Sequence, residues 1–376
     1  MTDKPSRRIP LAEPDLTGNE EAYVVEAIRS TWISSTGPFV ARFEREFAQV
    51  CGTHAALAVT NGTSALHLAL LGLGVRPGDE VIVPALTYVA TANAVRYVGG
   101  EPVFVDVDPA TWCLDPTKLE AAINPRTRGV IAVHLYGHPA DMDEINRIAG
   151  SHGLWVVEDA AEAHLARYKG RPTGGLASIG TFSFYGNKIL TSGEGGAVTF
   201  NDPELGHRLK MLRGQGMDPD RQYYFPITGY NFRMTNVACA LLCAQLERRD
   251  AIRRRRSEVF AQYRERLCAI PGIGQQPVAE WAEPAQWLYC VTVDNGAYGR
   301  TRDELRSLLD EAGVETRPFF IPLHQLPPFR EESSRRGEVL PVSDRLAARG
   351  LSLPTYNALD VGTIDLITDV ISRGRC

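Results

Sequence analysis

Between about residue 50 and residue 200, short runs of β-branched residues alternate with helical stretches. The segment TSALHLALLGLG, from Thr63, repeats leucine at three- and four-residue steps, as a helix with one apolar face does. The alternation predicts a large α/β domain built on a mostly parallel sheet of seven strands. The seven strand candidates are AALAVT, EVIVP, EPVFVDV, GVIAVHL, LWVVED, TFSFY and GAVTF.

The rest of the chain predicts two further parts. We expect residues 1–35 to form an N-terminal arm, residues 36–250 the large domain, and residues 251–376 a smaller α+β domain. Proline and glycine become frequent after Ile270, and a new strand (WLYCVTV) and helix (RDELRSLLDEAG) follow.

Charge and apolar patterning exclude several classes of protein. The formal net charge of -5 does not favour a nucleic-acid partner. No apolar run is long enough to cross a bilayer and the start lacks the core of a signal peptide, so we expect a cytoplasmic protein without a membrane partner. The 7 cysteines include no CxxC pair, so we expect reduced thiols and no metal site.

Lysine is scarce, which narrows any amine chemistry to five positions. Lys4, Lys118, Lys169 and Lys210 lie in polar or charged segments. Lys188 instead sits between apolar runs in TFSFYGNKILTSGEGGAVTF, and desolvation there would lower its pKa and favour the nucleophilic amine.

A second motif, TNGTSALHLAL from Thr60, predicts a strand that ends in a small-residue turn and opens a helix. Free backbone N–H groups at such a turn make a seat for phosphate, with the hydroxyls of Thr63 and Ser64 as extra donors. Ordinary N-capping by Asn61 or Thr63 is the alternative.

A third motif, WVVEDAAEAH, places Glu158 and Asp159 at the carboxyl end of a strand, where ligand crevices of α/β sheets form. A carboxylate there can hold a cationic ring nitrogen or a metal. Capping of a following helix is an equally good interpretation of Asp159. Glu162 and His164 follow closely enough to face the same pocket, or to lie in a solvated turn.

A phosphate seat, a strand-end carboxylate and a desolvated lysine are the set that holds pyridoxal 5'-phosphate. The sequence resembles the DegT family of sugar-nucleotide aminotransferases, which are fold type I pyridoxal-phosphate enzymes like aspartate aminotransferase. The resemblance covers essentially the whole chain. It is carried by PLAEPDLTGNEEAYV, GDEVIVPALTYVATANAV, EDAAEAH, FSFYGNKILTSGEGG, GYNFRMTNVACALLCAQL, RPFFIPLHQLP and LSLPTYN.

The resemblance implies roles for individual residues. Lys188 matches the Schiff-base lysine, Asp159 the partner of the pyridinium nitrogen, and Glu162 the residue beside the ring hydroxyl. The cofactor would alternate with pyridoxamine 5'-phosphate. The remaining implied cofactor contacts are Gly62, Thr63, Ser64 and Ser183 at the phosphate, Tyr88 stacked on the ring, and Asn231 from the neighbouring subunit of a homodimer with shared active sites.

Substrate contacts are implied as well. His164 and Arg233 would bind the carboxylate of the amino donor, L-glutamate. The sugar nucleotide would lie beside His324 and a segment that includes Trp32, Ser34 and Ser35. Relatives commonly have AHGA where this chain has leucine at position 165, which places the geometry of that loop in question.

The implied reaction moves an amino group from glutamate to a nucleotide-linked 4-keto-6-deoxy sugar, with GDP-4-keto-6-deoxymannose as the favoured acceptor. A UDP- or dTDP-linked keto sugar is an alternative acceptor. Related dehydratases carry histidine at the Schiff-base position, so Lys188 argues against that activity. A non-catalytic regulator that retains the fold is an alternative of a different class.

Overall fold

The computed structural model of the chain describes residues 8–376, so Lys4 and the first seven residues of the expected N-terminal arm lie outside the described residues. The strands, in chain order, are β1 (Ala55–Val59), β2 (Glu80–Pro84), β3 (Glu101–Val105), β4 (Thr127–Val133), β5 (Trp155–Asp159), β6 (Arg167–Tyr168), β7 (Arg171–Pro172), β8 (Ile179–Ser183), β9 (Gly196–Phe200), β10 (Ile273–Gln275), β11 (Ala282–Glu283), β12 (Tyr289–Val293), β13 (Arg317–Pro318) and β14 (Gly350–Leu353).

The α-helices, in chain order, are α1 (Glu20–Arg29), α2 (Pro38–Cys51), α3 (Gly62–Gly72), α4 (Ala90–Tyr97), α5 (Leu119–Ala122), α6 (Met142–Ser151), α7 (Pro203–Arg213), α8 (Asn236–Glu247), α9 (Arg249–Leu267), α10 (Asn295–Tyr298), α11 (Arg302–Glu311), α12 (Pro327–Arg336), α13 (Pro341–Arg349) and α14 (Val361–Arg373). Among residues 8–376, no helix combines the length and the apolar character needed to cross a membrane.

The main sheet has seven strands in the order β1-β9-β8-β5-β4-β2-β3. Strand β9 runs antiparallel to both of its neighbours, and the other pairs of adjacent strands are parallel. The predicted mostly parallel seven-stranded sheet is therefore confirmed, and each strand candidate from the sequence lies in it. The carboxyl ends of β1, β5 and β8 consequently meet at one edge, where α/β sheets bind ligands.

Helix α2 buries an aromatic stripe beneath this edge. Phe39, Phe43 and Phe47 recur every four residues and are all buried. The ring of Phe47 meets that of Phe182 edge-on at 4.8 Å, and Phe43 meets Phe184 in the same way at 5.5 Å. Phe182 is in β8, and Phe184 is the first residue after that strand. This packing therefore fixes the strand that leads to Lys188.

The C-terminal part of the chain forms a four-stranded antiparallel sheet in the order β10-β12-β14-β13. Helices α9, α11 and α14 pack with this sheet around a separate apolar cluster. A third, small sheet joins the two parts, because β11 pairs with β6. The domain boundary expected at residue 250 lies inside α9, and that division remains a prediction.

We predict that Gly196→Ala destabilises the chain by about 1–3 kcal/mol, because an added methyl group overpacks this position. A Cβ at Gly196 would lie 2.4 Å from the carbonyl oxygen of Asn61, a backbone atom that cannot move aside cheaply. Gly150→Ala is the matched control, since a Cβ there meets nothing within 4 Å and the site is helical. We expect the control to gain about 0.5–1 kcal/mol. Urea unfolding measures both changes, and equal effects would contradict the prediction.

Candidate active site

A cavity of about 430 Å³ opens at the carboxyl edge of the main sheet. Residues that follow β1, β2, β5 and β8 line one side of it, and residues from the C-terminal part close the other side. A larger cleft of about 610 Å³ lies beside α2, α8 and α9. Arg42 in that cleft is already paired with Glu46 and Glu247, so we place the chemistry in the first cavity.

The N-terminus of α3 forms the floor of the cavity. Asn61 caps this helix, and its side chain accepts a hydrogen bond from the N–H of Ser64 at 2.8 Å. The N–H groups of Gly62 and Thr63 precede the first helical hydrogen bonds, and both residues line the cavity. They present free donors and the positive end of the helix dipole to a ligand. Capping by Asn61 therefore leaves the N–H groups of Gly62 and Thr63 available to an anion.

Ser183, at the end of β8, stands against this helix terminus. A Cβ on Gly62 would lie only 2.7 Å from the Cβ of Ser183, so glycine is needed for the close approach. Ser183 lines the cavity with Thr63. Ser64 does not line it, and its hydroxyl instead bonds the hydroxyl of Thr60 at 3.0 Å. Two hydroxyls and the helix terminus therefore converge on one place suited to an anion.

Asp159 ends β5 and is 6% exposed. The hydroxyl of Thr91 donates to one carboxylate oxygen at 2.8 Å, and the N–H of Ala161 donates to the other at 3.3 Å. Burial raises the pKa of Asp159. No helix begins directly after Asp159, so the interpretation as a helix cap was wrong. A cationic group of a ligand would stabilise the ionised carboxylate.

Glu162 faces Lys188 across the cavity. One of its carboxylate oxygens accepts the backbone N–H of Tyr136 at 2.7 Å. The other lies 4.0 Å from Nζ of Lys188. Burial raises the pKa of Glu162 to about 7, so this group changes charge near neutral pH. Tyr136 itself has a left-handed backbone conformation, with φ of 52°.

Lys188 lies on the turn after β8, and its side chain is only 11% exposed. Burial lowers the pKa of its ammonium group, while Glu162 and Asp159 oppose that shift. Lys118, Lys169 and Lys210 are exposed. The sequence-based distinction between Lys188 and these lysines therefore agrees with their burial.

Two aromatic residues stand on the rim of the cavity. Tyr88 lines the cavity and is 57% exposed, so its ring is open to a ligand. The ring of Phe320 lies 5.7 Å from that of Tyr88. The two rings come from different parts of the chain and could both contact a flat cofactor or a nucleotide.

Some residues expected at the site lie outside this cavity, namely five assigned to the substrates, and Asn231, which was assigned to the cofactor phosphate of a neighbouring subunit. Arg233, Asn231, His324, Trp32, Ser34 and Ser35 are all absent from its lining. Asn231 and Trp32 are exposed, and Nε2 of His324 lies 3.1 Å from a carboxylate oxygen of Asp344. Their proposed roles remain predictions.

His164 is placed in the core instead. It is 1% exposed, and its ring packs against Phe182 and Phe184 at 5.6 and 5.3 Å. Neither ring nitrogen makes a hydrogen bond within residues 8–376. Burial lowers the pKa of His164 to about 3, so the ring is neutral and closed off from a substrate carboxylate. The next residue, Leu165, has a φ of 65° and keeps the left-handed conformation that glycine favours.

Sequence reasoning missed several residues of the cavity wall. Thr91 bonds Asp159, and Asn187, Trp287 and Arg317 all line the cavity. The side-chain oxygen of Asn187 is buried without a partner among the described residues, as expected at a site that a ligand completes. Arg317 belongs to RPFFIPLHQLP, which was a visible motif with no role attached. The sequence around Trp287 contained no motif that indicated a place at the site.

Comparisons with known proteins define the class. Residues 14–372 match the DegT/DnrJ/EryC1/StrS aminotransferase family, and the chain belongs to this family. It is a pyridoxal-phosphate-dependent sugar aminotransferase, which confirms the class and cofactor expected from the sequence.

Individual relatives and a solved structure match nearly the whole chain. GDP-perosamine synthase of Caulobacter vibrioides is 47% identical over 374 residues, 99% of each chain. GDP-perosamine synthase of Escherichia coli O157:H7 is 40% identical over 97% of this chain and 98% of its own length. The crystal structure of S. venezuelae DesV in complex with a ketimine intermediate superposes with a TM-score of 0.91, at 39% identity and 98% coverage of both chains.

The cavity residues fit this cofactor. The α3 terminus with Thr63 and Ser183 provides donors for its phosphate, and the carboxylate of Asp159 suits its protonated ring nitrogen. The amine of Lys188 suits its aldehyde. The partnerless oxygen of Asn187 is a further polar group available to a ligand.

We predict that Glu162→Gln flattens the dependence of stability on pH. The pKa of Glu162 rises from 4.5 to about 7 on folding. The folded chain therefore keeps a proton that the unfolded chain releases, and the stability this provides is present below pH 4.5 and lost as the pH rises through about 7. Glutamine cannot ionise and can still accept the bond from Tyr136.

Urea unfolding of the cofactor-free protein at about pH 5 and about pH 8 measures this effect. We expect the two proteins to be alike at the lower pH. At the higher pH the free energy of unfolding of Glu162→Gln should exceed that of the wild type by roughly 3 kcal/mol. An equal loss of stability with pH in both proteins would show that Glu162 is ionised throughout.

Proposed function

We propose that this chain transfers the amino group of L-glutamate to C4 of GDP-4-keto-6-deoxymannose, which yields 2-oxoglutarate and GDP-perosamine. The identity of 47% over 99% of both chains with a GDP-perosamine synthase is the observation that carries this proposal. The reaction would take place in the cytoplasm and supply the sugar to the O-antigen of lipopolysaccharide.

We assign the chemical roles from the geometry of the cavity. Pyridoxal phosphate, once bound, supplies an aldehyde that links to amines and a ring that accepts an electron pair. Asp159 would hold the protonated ring nitrogen, because an ion pair with it would offset the cost of burying the Asp159 carboxylate. Lys188 is the amine that holds the cofactor and, when free, the base that moves a proton at the substrate carbon. Burial favours its neutral form for this step.

Glu162 tunes the same amine. Its carboxylate lies 4.0 Å from Nζ of Lys188, so it stabilises the ammonium form when ionised. Since the pKa of Glu162 is about 7, this stabilisation changes across neutral pH. The charge of Glu162 therefore couples the protonation state of Lys188 to pH near neutrality.

Arg317 replaces Arg233 and His164 as the group proposed to bind the donor. Arg317 is on β13 and lines the cavity that holds Lys188. Among residues 8–376, no carboxylate lies within ion-pair distance of its guanidinium. A carboxylate of glutamate can accept two parallel hydrogen bonds from an unpaired arginine, which would also fix the amine beside Lys188.

The proposed assembly is a homodimer with shared active sites. Asn231 is exposed and outside the cavity of its own chain, as expected of a residue that reaches a neighbouring site. Tyr223, Tyr224 and Phe225 are 79%, 45% and 50% exposed on a nearby loop. A second copy that covers these rings would remove apolar surface from water.

Incubation with glutamate and a panel of keto sugar nucleotides tests the function. We expect the GDP-linked 4-keto-6-deoxy sugar to be aminated, with the product identified by mass and NMR. Preference for a UDP- or dTDP-linked sugar would show that the nucleotide is misassigned. Lys188→Ala is the control, and it should fold but lose at least ~1000-fold in turnover. No product from any sugar, and no bound cofactor, would favour a non-catalytic regulator.

We predict that Arg317→Ala raises KM for glutamate about 10- to 100-fold and leaves KM for the sugar nucleotide nearly unchanged, because a charge-assisted bidentate contact is lost. Arg233→Ala is the matched control and should change KM for glutamate little. The two variants thus distinguish the candidate donor sites. A large effect of Arg233→Ala with none for Arg317→Ala would restore the interpretation made from the sequence.

A further inference from the structure

Trp287 contacts Lys188 in two independent ways. The indole N–H donates a hydrogen bond to the carbonyl oxygen of Asn187 at 2.8 Å, so it binds the peptide that precedes Lys188. Nζ of Lys188 lies over the indole ring, 4.0 Å from the ring centroid. One side chain therefore holds both the backbone and the amine of the lysine.

Trp287 is itself firmly held. Its side chain is in the segment that enters β12, and the residue is 2% exposed. Its ring stacks near that of Tyr136, with centroids 6.4 Å apart and planes 18° apart. Its carbonyl oxygen accepts a hydrogen bond from Arg256 at 2.9 Å. The indole is thus a fixed wall of the cavity rather than a mobile side chain.

The arginine that binds the backbone of Trp287 is itself buried. It is a guanidinium that is 3% exposed and binds the carbonyl oxygens of Trp287 and Thr355 and the side chain of Asn357. No carboxylate within residues 8–376 forms an ion pair with it. A buried cation is retained only where its hydrogen bonds are well satisfied. Here those bonds fix the backbone of Trp287.

Four charged or titratable groups surround Lys188, and they come from β5, the segment that follows β5, and β13. Glu162 and Asp159 follow or end β5, Arg317 lies on β13, and the neutral ring of His164 lies behind β8. The carboxylates favour the ammonium form, and burial and Arg317 disfavour it. The face of the indole adds a further attraction for a cation, and this attraction is stronger in a desolvated site.

We propose that Trp287 is a positioning residue for Lys188, one that fixes the lysine through the Asn187 carbonyl and receives its ammonium group on the indole face whenever the amine is free. This inference rests on the proposed role of Lys188. In each full cycle the lysine would leave the cofactor once, when the amino donor displaces it, and would return to the same place once, when the aminated product leaves. The indole face defines that place, and there Nζ lies 4.0 Å from both the ring centroid and a carboxylate oxygen of Glu162.

The test uses the holoenzyme converted by glutamate to the form in which Lys188 is free. Competitive acetylation with acetic anhydride across about pH 6 to 10, read by peptide mass spectrometry, gives the titration midpoint of Lys188. The exposed Lys169 is the internal reference. A second measurement adds 2-oxoglutarate and follows the return of the visible absorbance of the lysine-linked cofactor.

Two variants separate the two contacts. Trp287→Leu removes the ring and the N–H, and we expect the midpoint of Lys188 to fall by about one pH unit because the ammonium loses its partner. Trp287→Phe keeps a ring and removes the N–H. It should shift the midpoint less but slow the return of absorbance about fivefold. Trp281→Leu is the matched control, since Trp281 packs on Tyr168 and His138.

An unchanged or higher midpoint in Trp287→Leu would overturn the proposal. If that variant does not fold, Trp287→Phe decides alone, and an unchanged rate of return would overturn the proposal. Failure of the underlying assignment looks different. In that case borohydride treatment of the wild type would leave the Lys188 peptide without attached cofactor, whatever the Trp287 variants do.

Discussion

The buried carboxylate of Glu158 organises the edge of the sheet on which the site depends. It is fully buried and accepts hydrogen bonds from the N–H groups of Gly174, Leu176 and Ala177 and from the ring of His134. Since Nδ1 of His134 accepts the N–H of Ala140, the proton on Nε2 faces Glu158. These hydrogen bonds offset the free-energy cost of burying the carboxylate. Loss of one partner would leave part of that cost uncompensated.

The alternation of side chains along β5 connects this buried carboxylate with the cavity. Glu158 and Asp159 are consecutive, so their side chains point to opposite faces of the sheet. Glu158 ties β5 to β4 and to the loop before β8, while Asp159 is presented to the cavity. These hydrogen bonds fix the end of β5, and with it the position of the carboxylate that we propose as the partner of the cofactor nitrogen.

Local patterns carried most of what could be predicted from the sequence. The period of the apolar residues predicted the strands, and an amine between apolar runs predicted the burial of Lys188. Thr91, Trp287 and Arg317 could not be predicted, because each reaches the cavity from a distant part of the chain. His164 was misleading for a related reason. Its closeness to Asp159 in sequence suggested one pocket, but the turn after β5 directs it into the Phe182 and Phe184 cluster.

Leu165 adopts the left-handed backbone conformation that is usually found at glycine. For a leucine the left-handed region costs roughly 1–2 kcal/mol, so the surrounding contacts must impose this conformation on the loop. The neighbouring N–H of Thr173 donates to the carbonyl oxygen of Ala166, one of the bonds that hold this loop. A search that requires glycine at this position would discard this chain, although its backbone here has a φ that glycine favours. Shape, rather than residue identity, is the better criterion at this position.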